Sequence, residues 1–260
     1  MRAKSVSGVF LMAVVCLSSM FLSSVCLGQS EPTEKMQSMV APRNDYVISV
    51  QELRMSGKAK KAFEEGARLL QKGDTAKSLP YFDQAIAAFP EHYKAYYDLG
   101  IAQYRLGHIV DAEQALQKSI DLTGGAYAPP EFAMGMVLCQ EQQLQKAEVV
   151  IQRGLDVDPG SATGKYFLGW AQFGLNHLIE AERSVQQALV RKANFAEAYF
   201  LLARIHQRQH NKPAMTKDLE AYLKLDHSSA GTQQAKALLD SAHPDAKQDG
   251  QVIAADAVTP

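Results

Sequence analysis

The sequence predicts an all-α solenoid of stacked helical hairpins, and two observations support that fold class. Similar segments recur with spacings of 34, 35, 34 and 34 residues, beginning at Ala59, Tyr93, Ala128, Ala162 and Ala196. Inside each segment, apolar residues recur at the three- and four-residue spacings of amphipathic helices. Because a single unit of this length buries little apolar surface, we expect each unit to be stabilised by its neighbours.

Two positions in each segment carry a constant type of residue. The eighth position is always small, as Gly66, Gly100, Gly135, Gly169 and Ala203. The twenty-fourth position is always bulky and apolar, as Phe82, Leu116, Ile151, Val185 and Leu219. Small residues at a fixed phase predict that two helices approach closely within every unit. Glycines midway through the first two units mark where the first helix ends and the chain reverses.

These phased positions resemble the tetratricopeptide repeat (TPR) family over residues 59–229, as in the run Tyr96-Tyr97-Asp98-Leu99-Gly100. The resemblance implies a right-handed superhelix of about five helix-turn-helix repeats, with a C-terminal capping helix at 230–242. The predicted solenoid covers 56–242, with repeats near 59–92, 93–126, 128–161, 162–195 and 196–229. One inserted residue near Tyr127 predicts an irregularity between the second and third repeats.

The N-terminus has the pattern of a signal peptide. Arg2 and Lys4 precede an apolar run, and a small residue, Gly28, ends the segment where a peptidase could cut. We therefore predict a signal peptide at 1–28 and export to a bacterial periplasm or the exterior. An uncleaved membrane anchor is the alternative, because the 19 uncharged residues from Val9 to Leu27 could just span a bilayer. Lipidation at Cys16 or Cys26 is not favoured, since valine precedes both cysteines.

The flanking segments differ in composition from the repeats. Residues 29–55 are predicted to be a linker and lead-in, and residues 243–260 a flexible tail. Cleavage after Gly28 would leave Cys139 as the only cysteine, so the mature chain would have no internal disulfide. The formal net charge of −1 gives no support for binding nucleic acid. Membrane contact is expected only if the N-terminal segment is retained.

Catalytic motifs are missing from the sequence. It contains no H-E-x-x-H, P-loop or C-x-x-C pattern, so we predict a protein that is not an enzyme and has no cofactor. His206 and His210 lie four residues apart and could share a metal ion, but two ligands without a third are weak grounds. We therefore predict no metal site.

The family resemblance places the functional surface on the concave face, which the first helices of the repeats line. The residues it assigns to a partner-binding groove are Phe63, Tyr97, Ile101, Arg105, Phe132, Met136, Tyr166, Trp170, Phe173, Phe200 and Arg204. Exposed aromatic side chains are typical of partner sites. The alternative for the aromatic residue at position 5 of each repeat is packing between helices. Arg105, Arg204 and Arg208 could also pair with an acidic segment of a ligand.

These observations favour a non-catalytic scaffold or adaptor that binds a peptide or helix of a partner protein. Three alternatives remain open at this point. The chain could assemble with itself into homo-oligomers, it could carry apolar small molecules, or it could be a metal-dependent accessory protein that uses His206 and His210. A TPR groove supplies a surface, and the sequence does not identify what occupies it.

Overall fold

The computed structural model describes residues 54–227 and 229–242, and within these ranges the chain forms helices and no strands. The helices are α1 (Gly57–Gln71), α2 (Thr75–Ala88), α3 (Tyr93–Arg105), α4 (Ile109–Thr123), α5 (Pro129–Gln140), α6 (Leu144–Val157), α7 (Ala162–Gly174), α8 (Leu178–Arg191), α9 (Ala196–Arg208), α10 (Lys212–Leu225) and α11 (Ala230–Ala242). The predicted all-α solenoid is therefore confirmed. The predicted signal peptide, most of the linker and the tail lie outside the described residues.

The helices pair in sequence order. Helix α1 packs on α2, α3 on α4, α5 on α6, α7 on α8 and α9 on α10, and α11 covers α10. The first helices of neighbouring pairs also contact one another, from α1 through α3, α5 and α7 to α9. Second helices make no comparable contacts with each other in the part of the chain described. Since the first helices lie closer together, they form the inner side of the curved stack.

The small and bulky positions of the repeat meet inside each pair. A Cβ atom added at Gly100 would lie 2.7 Å from Cγ of Leu116, and one added at Gly66 would lie 2.9 Å from Phe82. A Cβ atom added at Gly135 would lie closer still to Ile151. The bulky partners are fully buried, so the close approach predicted from the repeat pattern forms the core of each hairpin.

The junction between the second and third repeats accommodates the inserted residue. Gly124 and Gly125 have φ angles of 57° and 78°, a left-handed conformation that glycine adopts without strain. The Tyr127 ring that follows packs edge-on against Tyr93 and Tyr97, with centroid distances of 5.0 and 6.1 Å. The extra length is thus folded back onto helix α3.

None of the helices in the described ranges combines the length and the apolar character needed to cross a membrane.

Candidate functional site

Two of the aromatic residues at position 5, Phe63 and Tyr166, pack into the junctions between repeats. The ring of Phe63 lies edge-on to His92, with centroids 4.5 Å apart, immediately before α3 begins. The ring of Tyr166 lies 4.9 Å from that of Phe195, immediately before α9 begins. Each ring therefore contacts the residue that leads into the next repeat. Packing is one role of position 5, as the alternative interpretation held.

Burial divides the eleven predicted groove residues into two sets. Six are buried, namely Phe63, Ile101, Arg105, Phe132, Met136 and Phe173. Five are partly exposed, namely Tyr97, Tyr166, Trp170, Phe200 and Arg204. The structure thus does not bring all eleven to one accessible surface, because neighbouring first helices pack on most of them. Partner binding by the exposed set stays a prediction.

Arg105 and Arg208 occupy the same place in their repeats and make the same structural contact. Nη1 of Arg105 donates to the carbonyl oxygen of Leu70 at 2.9 Å, and Nη1 of Arg208 donates to that of Phe173 at 3.0 Å. Each carbonyl lies in the last turn of the preceding first helix, where it also accepts a turn hydrogen bond from the backbone N–H of Gly73 or Asn176, respectively. These arginines therefore cap the first helix of the previous repeat. The sequence analysis missed this role, although both arginines are the thirteenth residue of their repeats.

Arg105 is the more buried of the two. Among the described residues, its Nε and Nη2 atoms have no hydrogen-bond partner. Burial lowers the pKa of the guanidinium, and nearby Tyr97 and Asp98 oppose that shift. At 7% exposure the Arg105 side chain offers little surface to a ligand. Its role in the structure is therefore the hydrogen bond to the Leu70 carbonyl.

The accessible part of the inner side is concentrated on α7 and α9. Tyr166 and Trp170 lie one turn apart on α7, and Arg204 lies on the facing helix α9. The buried Phe173 ring lies beneath two guanidinium groups, 5.2 Å from Cζ of Arg204 and 4.2 Å from Cζ of Arg208. Tyr166, Trp170 and Arg204 are partly exposed and Arg208 is exposed. We call these four residues the concave patch.

The tyrosines of the inner side remain protonated at physiological pH. Burial raises the pKa of Tyr166 well above its usual value, and the Glu197 carboxylate adds to the increase. The pKa of Tyr97 is raised by burial as well. Both hydroxyl groups can therefore donate hydrogen bonds, and neither adds negative charge to the inner side.

The histidine pair considered as a metal site is separated by the fold. His206 is buried between two carboxylates, with Nδ1 2.6 Å from Oδ2 of Asp218 and Nε2 3.4 Å from Oε1 of Glu182. His210 lies exposed in the following turn with a φ angle of 58°. No group of three or more metal-ligating side chains is arranged around an ion position within 54–227 and 229–242. His206 instead links helices α8, α9 and α10.

Cys139 has the surroundings of a packing residue. Its side chain is fully buried in the core around α5, and burial raises the pKa of the thiol to about 12. A nucleophilic cysteine needs a lowered pKa and access to substrate. The residue has neither of these properties.

The outer side carries a different kind of surface. An open groove of about 890 Å³ runs between α4 and α6, with Met134 and Leu138 among the residues that line it. Val110 and Ile179, on second helices, are 65% and 68% exposed. Their apolar side chains are scattered singly over different repeats, which is normal for protein surfaces.

The fold and the phased hairpins define a helical-repeat solenoid. The sequence model of the family described as Tetratricopeptide repeat matches residues 63–127. Residues 63–127 therefore match the tetratricopeptide repeat family, and the described helices have the fold of a TPR solenoid. No curated protein matches it in sequence.

Solved structures share the fold at low sequence identity. The TPR protein TTC0263 of Thermus thermophilus is 19% identical, with a TM-score of 0.60, over 71% of this chain and 98% of that one. PilW, a type IV pilus biogenesis factor, is 13% identical, with a TM-score of 0.67, over 74% and 89%. YrrB, a TPR protein with an unusual peptide-binding site, is 17% identical, with a TM-score of 0.50, over 68% and 91%.

Proposed function

We propose that this protein is a non-catalytic scaffold that binds a peptide or helix of a partner protein on its concave patch. The observation that carries the proposal is the partial exposure of Trp170, which lies beside Tyr166 on the inner side while most other inner aromatic rings are buried. Tryptophan and tyrosine are favoured at partner sites, because they bury a large area and lose little rotamer freedom.

The shape of the stack supports this assignment. An inner side formed by first helices presents side chains from successive repeats along one direction, which suits an extended or helical ligand. YrrB, which shares the fold, is a TPR protein with an unusual peptide-binding site. In this chain we propose that the ligand lies on the inner side, where Tyr166 and Trp170 are partly exposed.

Site-specific photo-crosslinking tests the proposal. A photoreactive phenylalanine analogue replaces Trp170 on the concave patch, and in a matched protein it replaces Ile179, which is 68% exposed on the outer side. Both proteins are irradiated in extracts of the source cells. We expect a specific adduct from position 170 only, which unlabelled wild-type protein suppresses by competition.

The adduct must then be reproduced with the purified partner. Binding of that partner should be weakened by Trp170→Ala and unchanged by Ile179→Ala, with circular dichroism showing equal helicity. Equal crosslinking from both positions, or binding that Trp170→Ala leaves intact, would refute a ligand site on the concave patch.

We also propose that the protein is exported, on the strength of the charged, apolar and small-residue pattern in residues 1–28. Protein isolated from fractionated source cells should begin at Gln29 and lie outside the cytoplasm. Intact mass spectrometry decides between the alternatives, since a chain that still begins near Met1 in the membrane fraction would indicate an uncleaved anchor.

A further inference from the structure

Arg204 and Arg208 form a pair of cations over a single aromatic ring. Their Cζ atoms lie 5.2 and 4.2 Å from the centroid of the buried Phe173 ring. The two residues are one turn apart on α9, so their side chains extend from the same side of the helix. An aromatic face holds a guanidinium group by cation–π attraction. The N–H groups lie in the plane of the guanidinium and point away from its central carbon, so they can still donate hydrogen bonds.

The position of Arg208 is further fixed by the backbone. Its Nη1 donates to the carbonyl oxygen of Phe173 at 3.0 Å, which uses one of its five N–H groups. Arg208 is thus held by a hydrogen bond and by the Phe173 ring, while Arg204 is held by the ring alone. Arg204 is partly exposed and Arg208 is exposed, so both present N–H groups on the inner side. Restraint of the two side chains before a ligand arrives reduces the entropy cost of binding.

No carboxylate neutralises this pair in the part of the chain that the structure describes. Ion pairs are formed there by other arginines, such as Arg68 with Glu65, and none includes Arg204 or Arg208. Burial and proximity to Arg208 both lower the pKa of Arg204, as expected for two cations without an acidic partner. Glu182, on the neighbouring helix α8, is instead bonded to Gln209 and Gln186.

We propose that Arg204 and Arg208 together bind a carboxylate group of an acidic peptide, and that an apolar side chain of the same peptide packs on Trp170. This inference rests on the proposed function and specifies the chemistry of the ligand. Two ordered guanidinium groups match the planar oxygens of a carboxylate, and the adjacent partly exposed indole favours an apolar neighbour. The small size of the pair and the formal net charge of −1 do not favour a nucleic acid.

Selection from a random peptide library tests the proposal even before the partner has been identified. Phage-displayed peptides are selected on three full-length proteins: wild type, Arg204→Gln/Arg208→Gln, and the control Arg183→Gln/Arg191→Gln. The control removes two exposed arginines from α8 and so loses the same charge. Glutamine removes the charge but keeps a polar side chain, and circular dichroism and melting curves verify that all three proteins fold alike.

The expected result is enrichment of Asp or Glu next to an apolar residue on wild type and control, and loss of that enrichment on Arg204→Gln/Arg208→Gln. For the best peptide, the double substitution should raise Kd by about 10- to 100-fold, as expected for lost charge-assisted hydrogen bonds. Replacing the acidic residues of the peptide by Asn or Gln should weaken binding to wild type equally and have little further effect on the double variant.

Two other outcomes have distinct meanings. Peptides that are selected without acidic enrichment, or that bind the double variant as well as wild type, would overturn the carboxylate site while leaving a peptide-binding scaffold in place. If no peptide is enriched on wild-type protein above a blank surface, the proposed function itself is contradicted and the carboxylate site with it.

Discussion

At the scale of single residues, each hairpin depends on a small side chain facing a large one. Gly100 allows Leu116 to enter the space that a Cβ atom would occupy, and Leu116 is completely buried there. At the eighth position, the fold therefore selects residues for small size, even though glycine has a low helix propensity. Ala203 fills that position in the fifth repeat, where it is also fully buried.

Gly100→Ala should destabilise the protein by about 1–3 kcal/mol, because the added methyl group would overpack the core against Leu116 and the Ala112 carbonyl. Gly57→Ala is the matched control, since a Cβ atom there meets nothing within 4 Å. Urea unfolding followed by circular dichroism measures both. Equal midpoints for the two variants would show that the close approach does not limit residue size.

Cys139 provides a second prediction at this scale. Its burial and its pKa of about 12 predict that it does not react with iodoacetamide in the native protein and reacts fully after unfolding in urea. Mass spectrometry of the Cys139 peptide measures the modified fraction. Rapid native modification would show that the core around α5 opens far more readily than its packing implies.

At the scale of helices, buried polar contacts connect successive repeats. His206 bridges Glu182 and Asp218, and Gln209 donates to Glu182 at 3.0 Å. Hydrogen bonds from Gln209 above all, and then contacts with His206, hold the pKa of Glu182 below its usual 4.5. A carboxyl group with a lowered pKa stabilises the folded state above pH 4.5 and loses that contribution as the pH falls through its folded pKa.

Glu182→Gln should therefore reduce stability at neutral pH by about 0.5 kcal/mol, the size of a solvent-screened pair. The difference from wild type should shrink below pH 4.5, as the wild-type carboxyl group becomes protonated. Urea midpoints measured from neutral pH to about pH 3 follow this trend, with Glu180→Gln on the same helix as the control. A difference that grows at acidic pH would contradict the interpretation.

Helix periodicity and repeat phase predicted most of the architecture, because they depend on local sequence. The pairing of Gly100 with Leu116, for example, follows from two fixed positions in one unit. Exposure of the inner residues was harder to predict, since it depends on the neighbouring repeat. Arg105 was assigned to an accessible groove, but it caps Leu70 in the preceding unit and is buried.

His206 shows a second limit of the sequence reasoning. Sequence spacing suggested His210 as its companion, while the fold supplies Glu182 and Asp218 from two other helices. Glu182 lies 24 residues before His206 and Asp218 lies 12 residues after it. A short sequence motif cannot predict contacts over such separations. His206 is buried, and the four-residue spacing to His210 indicated neither this burial nor the two carboxylates that contact it.

At the scale of the whole molecule, the stack is stabilised by contacts between adjacent units. Helix α11 closes the C-terminal end, where Ala235, Leu238 and Leu239 pack with Tyr222 and Leu219 of α10. Since each repeat contacts only its neighbours, a defect at one end should remain local.

Ala235→Asp should detach α11 by placing a charge in a fully buried position, at a cost of about 2 kcal/mol or more. Ala237→Asp makes the same change at an exposed position of the same helix and should alter stability by less than about 0.5 kcal/mol. Hydrogen exchange should show lost protection in α10 and α11 but not in α1 to α4. Uniform loss along the chain would contradict a stack with local coupling.

We claim that a ligand binds the concave patch. Trp170 reports on this binding directly, because it is the only tryptophan in the chain. Acrylamide quenching of its fluorescence, measured with and without a peptide selected on the wild-type protein, tests this claim. We predict that the bound peptide shields Trp170 and lowers the quenching constant. Unchanged quenching at a saturating peptide concentration would show that the ligand binds elsewhere on the solenoid.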